Sequence, residues 1–199
     1  MAKSDDAQMI VKPSASGLAA SVQAATKKGP PPVHLWNPPY CGEIDMRIAR
    51  DGTWFHDGTP IGRMPLVKLF SSILRLEDGK YFLVTPVEKV GIRVDDAPLL
   101  AVDFEAEGEG TAQVLRFFTK TDDEAVASAE NPLRIVRDPE TGEPSPYVHI
   151  RRGLEALIDR KSFYRLIELG SHAPHQGQSW FGLWSSGTFF PVIPSDDLT

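Results

Sequence analysis

One pattern of apolar and polar positions occurs twice along the chain. The first copy begins at Ile61–Arg63 and the second at Ile158–Arg160, and apolar residues follow each arginine at three, six and seven positions. Apolar residues at intervals of three and four are typical of one face of a helix. Each copy therefore predicts an amphipathic helix that begins near its arginine.

Strand-like segments flank both predicted helices. Mixed polar and apolar strands precede them at residues 45–52 and 147–153, and aromatic strands follow at 81–84 and 180–184. A unit of strand, strand, helix and strand that occurs twice indicates a duplication. The predicted fold is α+β and mostly antiparallel, with two structurally related halves and a seam between them where a ligand can bind.

Turn signals refine these elements. Asp51-Gly52 predicts a hairpin, and Pro65 suits the first turn of the first helix. The apolar stripe of that helix continues to Leu74, so that Gly79 is predicted to end it.

Composition divides the chain of 199 residues into three parts. Residues 1–32 are predicted to be a flexible tail; within them 14–28 has helical spacing, so that a docked helix and a disordered segment are alternatives. Gly29–Pro32 predicts a stiff linker. An N-terminal α+β domain is expected over 33–97 and a C-terminal one over 98–199.

The acidic charge is concentrated in the C-terminal half. The net charge of −6 divides into +2 for residues 1–32, −1 for 33–97 and −7 for 98–199. Such a chain is a poor partner for duplex nucleic acid, because phosphate neutralisation supplies most of that affinity. A small nucleotide needs only a few well-placed cations, so the charge is compatible with one.

Cys41 is the only cysteine, which excludes an intramolecular disulfide and a cysteine-based zinc site. The N-terminal residues lack the basic and apolar regions of a signal peptide, and no apolar stretch is long enough to span a membrane. The expected compartment is the cytoplasm.

The arginines at the two predicted helix starts are candidates for a binding role. The helix dipole disfavours a cation there by about 0.3–1 kcal/mol, so a repeated arginine needs a reason. One interpretation is an anion held by the guanidinium and the helix-start N–H groups. An ion pair with a nearby carboxylate is the alternative and the commoner arrangement. Trp54 and His56, in the loop before Arg63, favour a ligand at the first of these positions.

A second candidate cluster comprises Glu88, Lys89 and Asp95–Asp96. The acids can hold a hard cation and Lys89 can contact phosphate, but acidic residues at strand ends are more often solvated. His149 and Arg151 share one face of a predicted strand. If that face lies at the seam, both reach an anionic ligand; otherwise they are ordinary exposed residues.

The remaining motifs are weak. His172 and His175 have the spacing of metal ligands without a third ligand, and Pro174 between them favours a mobile loop. No phosphate-binding glycine loop, nucleophile elbow or zinc-protease helix occurs in the sequence.

Several segments resemble a known family, namely 54–63, 85–90, 94–98, 147–151 and 184–191. In them the chain is similar to the uncharacterised proteobacterial family called domain of unknown function 1285, over residues 39–191. The resemblance implies a duplicated α+β core and a C-terminal half like a pleckstrin-homology barrel. It also implies a site at the seam that suits a nucleotide-containing ligand in signalling. It carries over no catalytic residue.

The predicted function is that of a cytoplasmic, non-enzymatic protein that binds a small anion, for example a nucleotide, at the seam. The predicted ligand-binding residues are Trp54, His56, Arg63, Glu88, Lys89, His149 and Arg151. No catalytic residue, cofactor or metal is expected. A protein–protein interaction module without a small ligand is the alternative, and a metal-dependent hydrolase or transferase that uses the acidic cluster is a third hypothesis.

Overall fold

The computed structural model describes residues 13–25 and 30–198. The α-helices in this part are α1 (Ala15–Ala25), α2 (Met64–Ser72) and α3 (Arg160–Ile167). The strands are β1 (Tyr40–Ile48), β2 (Trp54–His56), β3 (Thr59–Pro60), β4 (Leu74–Glu77), β5 (Lys80–Val84), β6 (Lys89–Val94), β7 (Leu99–Glu107), β8 (Val114–Thr119), β9 (Glu124–Val126), β10 (Leu133–Arg137), β11 (Pro144–Arg151), β12 (Leu154–Ile158), β13 (Ser171–His175), β14 (Gln178–Ser185) and β15 (Thr188–Pro194).

The strands form two six-stranded sheets and one three-stranded sheet. Their orders are β3-β2-β1-β6-β5-β4, β10-β11-β12-β7-β8-β9 and β13-β14-β15. In each six-stranded sheet two antiparallel three-stranded meanders are joined by one parallel pair, β1 with β6 and β12 with β7. The two sheets therefore have the same topology. This confirms the predicted α+β fold with two related, mostly antiparallel halves.

The second copy of the sequence repeat begins at β10, one meander later than the second six-stranded sheet, which begins at β7. Helix α2 connects the two meanders of the first sheet, whereas α3 follows the second sheet and leads into β13–β15. Each sequence copy is thus a meander, a helix and another meander. In the first copy the last strand, β6, pairs with the first strand, β1. In the second copy the last strand, β15, contacts the first strand, β10, without pairing with it. The second half contains a curled, half-barrel sheet, in agreement with the barrel that the resemblance implied.

The N-terminal segment adopts the docked alternative over Ala15–Ala25. Leu18 and Val22, one helical turn apart, are both 0% exposed, and α1 contacts α2. This part of the expected flexible tail is therefore a packed helix, because its two large apolar side chains share one face. Residues 1–12 and 26–29 lie outside the described residues.

Helix α2 ends earlier than its apolar stripe predicts. It stops at Ser72, and Leu74 already pairs with Leu83 in the β4–β5 hairpin. Asp78 and Gly79 form the turn of that hairpin, with φ values of 48° and 76°. The prediction that Gly79 ends the helix is wrong, since this Asp-Gly pair favours a tight hairpin turn.

Residues 171–175 form strand β13 rather than the predicted mobile loop. His172 lies opposite Phe181 of β14, and Pro174 lies opposite Ser179. Because β13 is an edge strand, Pro174 needs no N–H for a further neighbour.

The main hydrophobic core, beside a small second cluster of Ala97, Tyr147 and Leu157, extends through the described part of the molecule. Its buried residues come from α1, from both six-stranded sheets and from the three-stranded sheet. Among the described residues, no helix is long and apolar enough to cross a membrane. Because the buried cluster contains residues of both halves, the halves share their interior.

Candidate functional site

A cavity of about 480 Å³ lies at the seam between the two halves. It is lined by Pro30–Pro32 of the linker, by His34 and Ser72 of the first half, and by residues 122–124 and Arg151–Arg152 of the second. We call it the seam cavity. Its volume falls within the range of about 300–1,000 Å³ that is usual for small-molecule sites.

Each carboxylate that lines the seam cavity has a cationic partner. The pairs are Asp122 with Lys68, Asp123 with Arg151 at 2.7 Å, and Glu124 with Arg116 at 3.6 Å. The negative charge of the β8–β9 turn is therefore neutralised locally, although the C-terminal half is acidic as a whole.

Arg151 joins the two halves at this cavity. Its Nε donates to Oδ1 of Asp123 at 2.7 Å, and its Nη2 donates to the carbonyl oxygen of Ser71 in α2 at 2.9 Å. The side chain is 25% exposed. Because a guanidinium has five N–H donors, Arg151 keeps donors for a ligand while it holds α2 against β11.

Arg152 is the unusual residue of the seam cavity. It is exposed and has a φ of 49°, and with Gly153 it forms the two-residue turn between β11 and β12. Such turns prefer Asn-Gly or Asp-Gly, because φ is positive at both positions. Of the twelve arginines, all within the described residues, only Arg63 and Arg152 have side chains that make no ion pair or hydrogen bond there.

His149 supports the turn that carries Arg152. Its Nε2 accepts a hydrogen bond from the N–H of Gly153 at 3.0 Å, and its Nδ1 lies 3.1 Å from Nδ2 of Asn131. The same amide of Asn131 donates to the carbonyl oxygens of His149 and Ile150. His149 is thus held within the protein, and its contact with a ligand remains a prediction.

Trp54 and His56 lie outside the seam cavity. Trp54 is 2% exposed, and its ring stacks on Phe70 with centroids 6.2 Å apart, so in this structure it belongs to the core. The His56 side chain is 32% exposed, and its Nδ1 lies 3.6 Å from Oδ2 of Asp57. The structure therefore places no aromatic stacking surface from this segment at the seam.

Arg63 lines a different cavity of about 510 Å³, between α1 and the start of α2, with Gln23 on the other side. It occupies the N-cap position and makes no ion pair with any residue that the structure describes. The helix start offers an anion few donors, since Pro65 has no N–H. The N–H groups of Leu66 and Val67 donate to the carbonyl oxygen of Arg63 itself.

Arg160 adopts the ion-pair alternative. Its Nη2 lies 2.9 Å from Oε1 of Glu143. Asp159 caps α3 by accepting from the N–H of Ser162 at 2.8 Å, so that Arg160 is the first helical residue rather than the cap. The two arginines of the repeat are thus one position apart relative to their helices.

Glu88 and Lys89 also lie outside the seam cavity. Lys89 Nζ is 2.7 Å from Oε2 of Glu77 and 5.0 Å from the centroid of Phe82. That hydrogen bond, with a further one from Arg75, lowers the pKa of Glu77. Burial raises the pKa of Glu88.

Asp95 and Asp96, the other acids of the second predicted cluster, form ion pairs with different partners. Asp95 pairs with Arg47 at 2.6 Å. Asp96 pairs with Arg50 at 2.7 Å and accepts a hydrogen bond from the Tyr147 hydroxyl at 2.7 Å. Within the described ranges, no group of three or more His, Cys, Asp or Glu side chains is arranged to hold a metal ion.

The structure therefore does not bring the seven predicted residues into one site. Arg151 alone of them lines the seam cavity, while Arg63 and Lys89 line two other cavities. Sequence reasoning did not select Arg152 or His34 as ligand residues. An available signal was the pair Arg152-Gly153 between two strands, where an asparagine or aspartate is the usual first residue.

The repeated meanders define a two-part, mostly antiparallel α+β protein. Family models match the two parts: residues 31–97 match the N-terminal domain of DUF1285, a domain of unknown function, and 98–192 match the C-terminal domain. The chain belongs to the DUF1285 family.

Two solved structures are similar to the chain. A DUF1285 family protein from Silicibacter pomeroyi DSS-3 is 64% identical, with a TM-score of 0.83 over 92% of this chain and 97% of that one. Another from Shewanella baltica OS155 is 32% identical, with a TM-score of 0.48 over 62% of this chain and 90% of that one. No curated protein matches the sequence.

Proposed function

We propose that the protein is a non-enzymatic binding protein that holds a small anion in the seam cavity, a nucleotide being the leading candidate. The observation that carries the proposal is the unpaired guanidinium of Arg152, in a turn that disfavours arginine, beside carboxylates that are all paired. The cytoplasm is the compartment that we expect, with a role in signalling.

The charges at the seam cavity favour a phosphate or carboxylate group. Because the three acids each have a partner, Arg152 supplies the unbalanced charge among the described lining residues. A guanidinium can bind such a group through two parallel hydrogen bonds. Arg151, which keeps free donors, and the His34 ring line the same cavity.

Binding at this position also suggests how a signal is produced. A ligand there contacts the linker and the end of α2 on one side and two turns of the second half on the other. If the ligand has a higher affinity for one relative position of the halves, it shifts the population toward that position. This is the physical basis of the signalling role that we propose.

The test is a thermal-shift screen of the full chain against mono-, di- and cyclic nucleotides, with Arg152→Asn alongside. A ligand at a hundred times its dissociation constant stabilises by about 2.7 kcal/mol. Asparagine removes the charge but tolerates positive φ, so we expect the ligand-free variant to be more stable by about 1 kcal/mol. Its nucleotide-dependent shift should be lost.

Arg63→Gln is the matched control, because it removes the other unpaired arginine and should keep the shift. The reverse result, a shift that survives in Arg152→Asn and is lost in Arg63→Gln, contradicts the seam site and favours the cavity between α1 and α2. A complete absence of shifts contradicts nucleotide binding at either position.

A protein-interaction module is the second candidate function, and one surface favours it. A groove of about 320 Å³ runs beside α3, with Phe163, Ile167 and Val192 among its lining residues. Tyr164 and Leu198 at its edges are 61% and 49% exposed. Exposed apolar side chains around a groove are typical of protein contacts. This candidate gains weight if the nucleotide screen shows no shift.

A further inference from the structure

A second pocket, of about 430 Å³, lies on the outer face of the first sheet. Glu43 of β1, Gly91 of β6 and Phe82 of β5 lie side by side in register across three neighbouring strands. Tyr40 lies three residues before Glu43 in β1, opposite Lys89, and the register of the strand pair shifts between the two positions. We call this the outer-face pocket; it shares no lining residue with the seam cavity.

Gly91 provides the floor of the outer-face pocket by lacking a side chain. Its φ is not positive, so the backbone does not require glycine. A Cβ at this position would lie 3.2 Å from Cγ of Glu43, 3.6 Å from the Tyr40 hydroxyl oxygen and 3.8 Å from Oε1 of Glu43. A carboxylate and a hydroxyl therefore converge over the floor, and a valine here would occupy their space.

The pocket wall next to this floor is aromatic. The rings of Tyr40 and Phe82 meet edge to face, with centroids 6.0 Å apart and an interplanar angle of 88°. Tyr40 is 54% exposed. An aromatic pair with an exposed ring favours an apolar or aromatic group of a ligand.

The unpaired charges of the outer-face pocket are one negative and one positive. The Glu77 carboxylate pairs with both Lys89 and Arg75, which leaves Lys80, its direct neighbour across the β4–β5 pair, without an ion pair in the described part of the chain. Glu43 has no ion pair there either. Lys80 lies two residues from Phe82, roughly 7 Å along the strand and on the same face.

We propose that the outer-face pocket binds a free α-amino acid with an aromatic or large apolar side chain. The Glu43 carboxylate and the Tyr40 hydroxyl accept hydrogen bonds from the ammonium group above Gly91. The Lys80 ammonium pairs with the carboxylate of the ligand, and the ligand side chain packs on Tyr40 and Phe82. A simple cation would leave Lys80 unpaired, and a simple anion would leave Glu43 unpaired.

The test uses calorimetric titration of the full chain with L-phenylalanine, phenethylamine and 3-phenylpropanoate. The last two each lack one of the two charges. We expect L-phenylalanine to bind at least tenfold more tightly than either analogue. Glu43→Gln should weaken its binding at least tenfold. Gly91→Val should abolish binding while the thermal midpoint is kept, because valine favours a strand.

Arg152→Asn is the control, because it alters the seam cavity and should leave phenylalanine binding unchanged. Three results overturn the proposal: no binding of L-phenylalanine, equal binding of either analogue, or binding that persists in folded Gly91→Val. None of them bears on the nucleotide screen, so the two proposals fail separately.

Discussion

Two glutamates of the first sheet show how local surroundings set the behaviour of a single residue. Glu77 accepts hydrogen bonds from Lys89 and Arg75, and these contacts lower its pKa from the ordinary 4.5. Burial raises the pKa of Glu88 from the same value, with no cation to offset it. The charged form is therefore stabilised by folding at Glu77 and disfavoured at Glu88.

We predict that glutamine substitutions at these two positions have opposite effects at pH 7. Glu77→Gln lowers the free energy of unfolding, and the loss disappears as pH falls through the folded-state pKa of Glu77. Glu88→Gln raises it, because the folded-state pKa is raised and ionisation destabilises the protein at higher pH; the gain disappears below the unfolded-state value of about 4.5. Urea denaturation of both variants across pH 3–7 measures these differences, and a shared sign at pH 7 contradicts the prediction.

The arginines of the repeat show what a sequence can predict at this scale. Their spacing correctly placed a helix start at both positions. It could not show that Arg160 meets Glu143 while Arg63 has no ion pair among the described residues, because Glu143 comes from a separate loop of the second half. For Arg152 the local turn rule was informative, but its position at a cavity depends on packing between the halves.

At the scale of elements, short-range sequence signals predicted the presence of a helix or strand better than the residue at which it ends. Both helices of the repeat begin where the patterns placed them and strands flank them, but β13 formed where a mobile loop was predicted. The end of α2 was misplaced, because Ile73 and Leu74 continue the helical spacing and yet face the core from another element. Pairing of Leu74 with Leu83 in the hairpin decides between the two structures, and a helical pattern contains no information about that partner.

For the docked helix α1, we predict that its buried face contributes to the stability of the whole protein. Leu18 is 0% exposed within the common core, so Leu18→Ala should lower the free energy of unfolding by about 2–4 kcal/mol. Gln23→Ala, at an exposed position of the same helix, should change it by less than about 0.5 kcal/mol. Chemical denaturation compares the two. Equal, small effects would show that α1 is not docked in solution.

On the scale of the whole molecule, the two copies of the sequence repeat are placed differently in the sheets. The first copy coincides with the first six-stranded sheet, whereas the second does not, since α3 joins the second sheet to the β13–β15 meander. The chain therefore carries the second copy across a sheet boundary. The family models divide it between residues 97 and 98, whereas the buried cluster runs through both parts. The division into domains at 33–97 and 98–199 remains a prediction about independent folding.

Arg151 tests how strongly the halves depend on each other. Replacing it with methionine removes the cationic partner of the Asp123 carboxylate, which keeps a hydrogen bond from the Thr121 hydroxyl, and a donor to the Ser71 carbonyl. Because the site is partly buried, this should cost about 1–3 kcal/mol. Asp123→Asn in the same chain should restore part of this loss by removing the unpaired charge. Arg160→Met breaks an ion pair whose side chains are 74% and 63% exposed and should cost less than about 0.5 kcal/mol.

Calorimetry shows whether the two halves of the Arg151→Met variant still unfold as one cooperative unit. Because the core is continuous, we expect one transition for the wild type and for Arg151→Met, with equal calorimetric and van't Hoff enthalpies. Two transitions in the variant, with the first half unfolding alone, would mean that the seam contacts and not the shared core couple the halves. In that case a ligand in the seam cavity would act directly on the coupling, and it would merge the two transitions again.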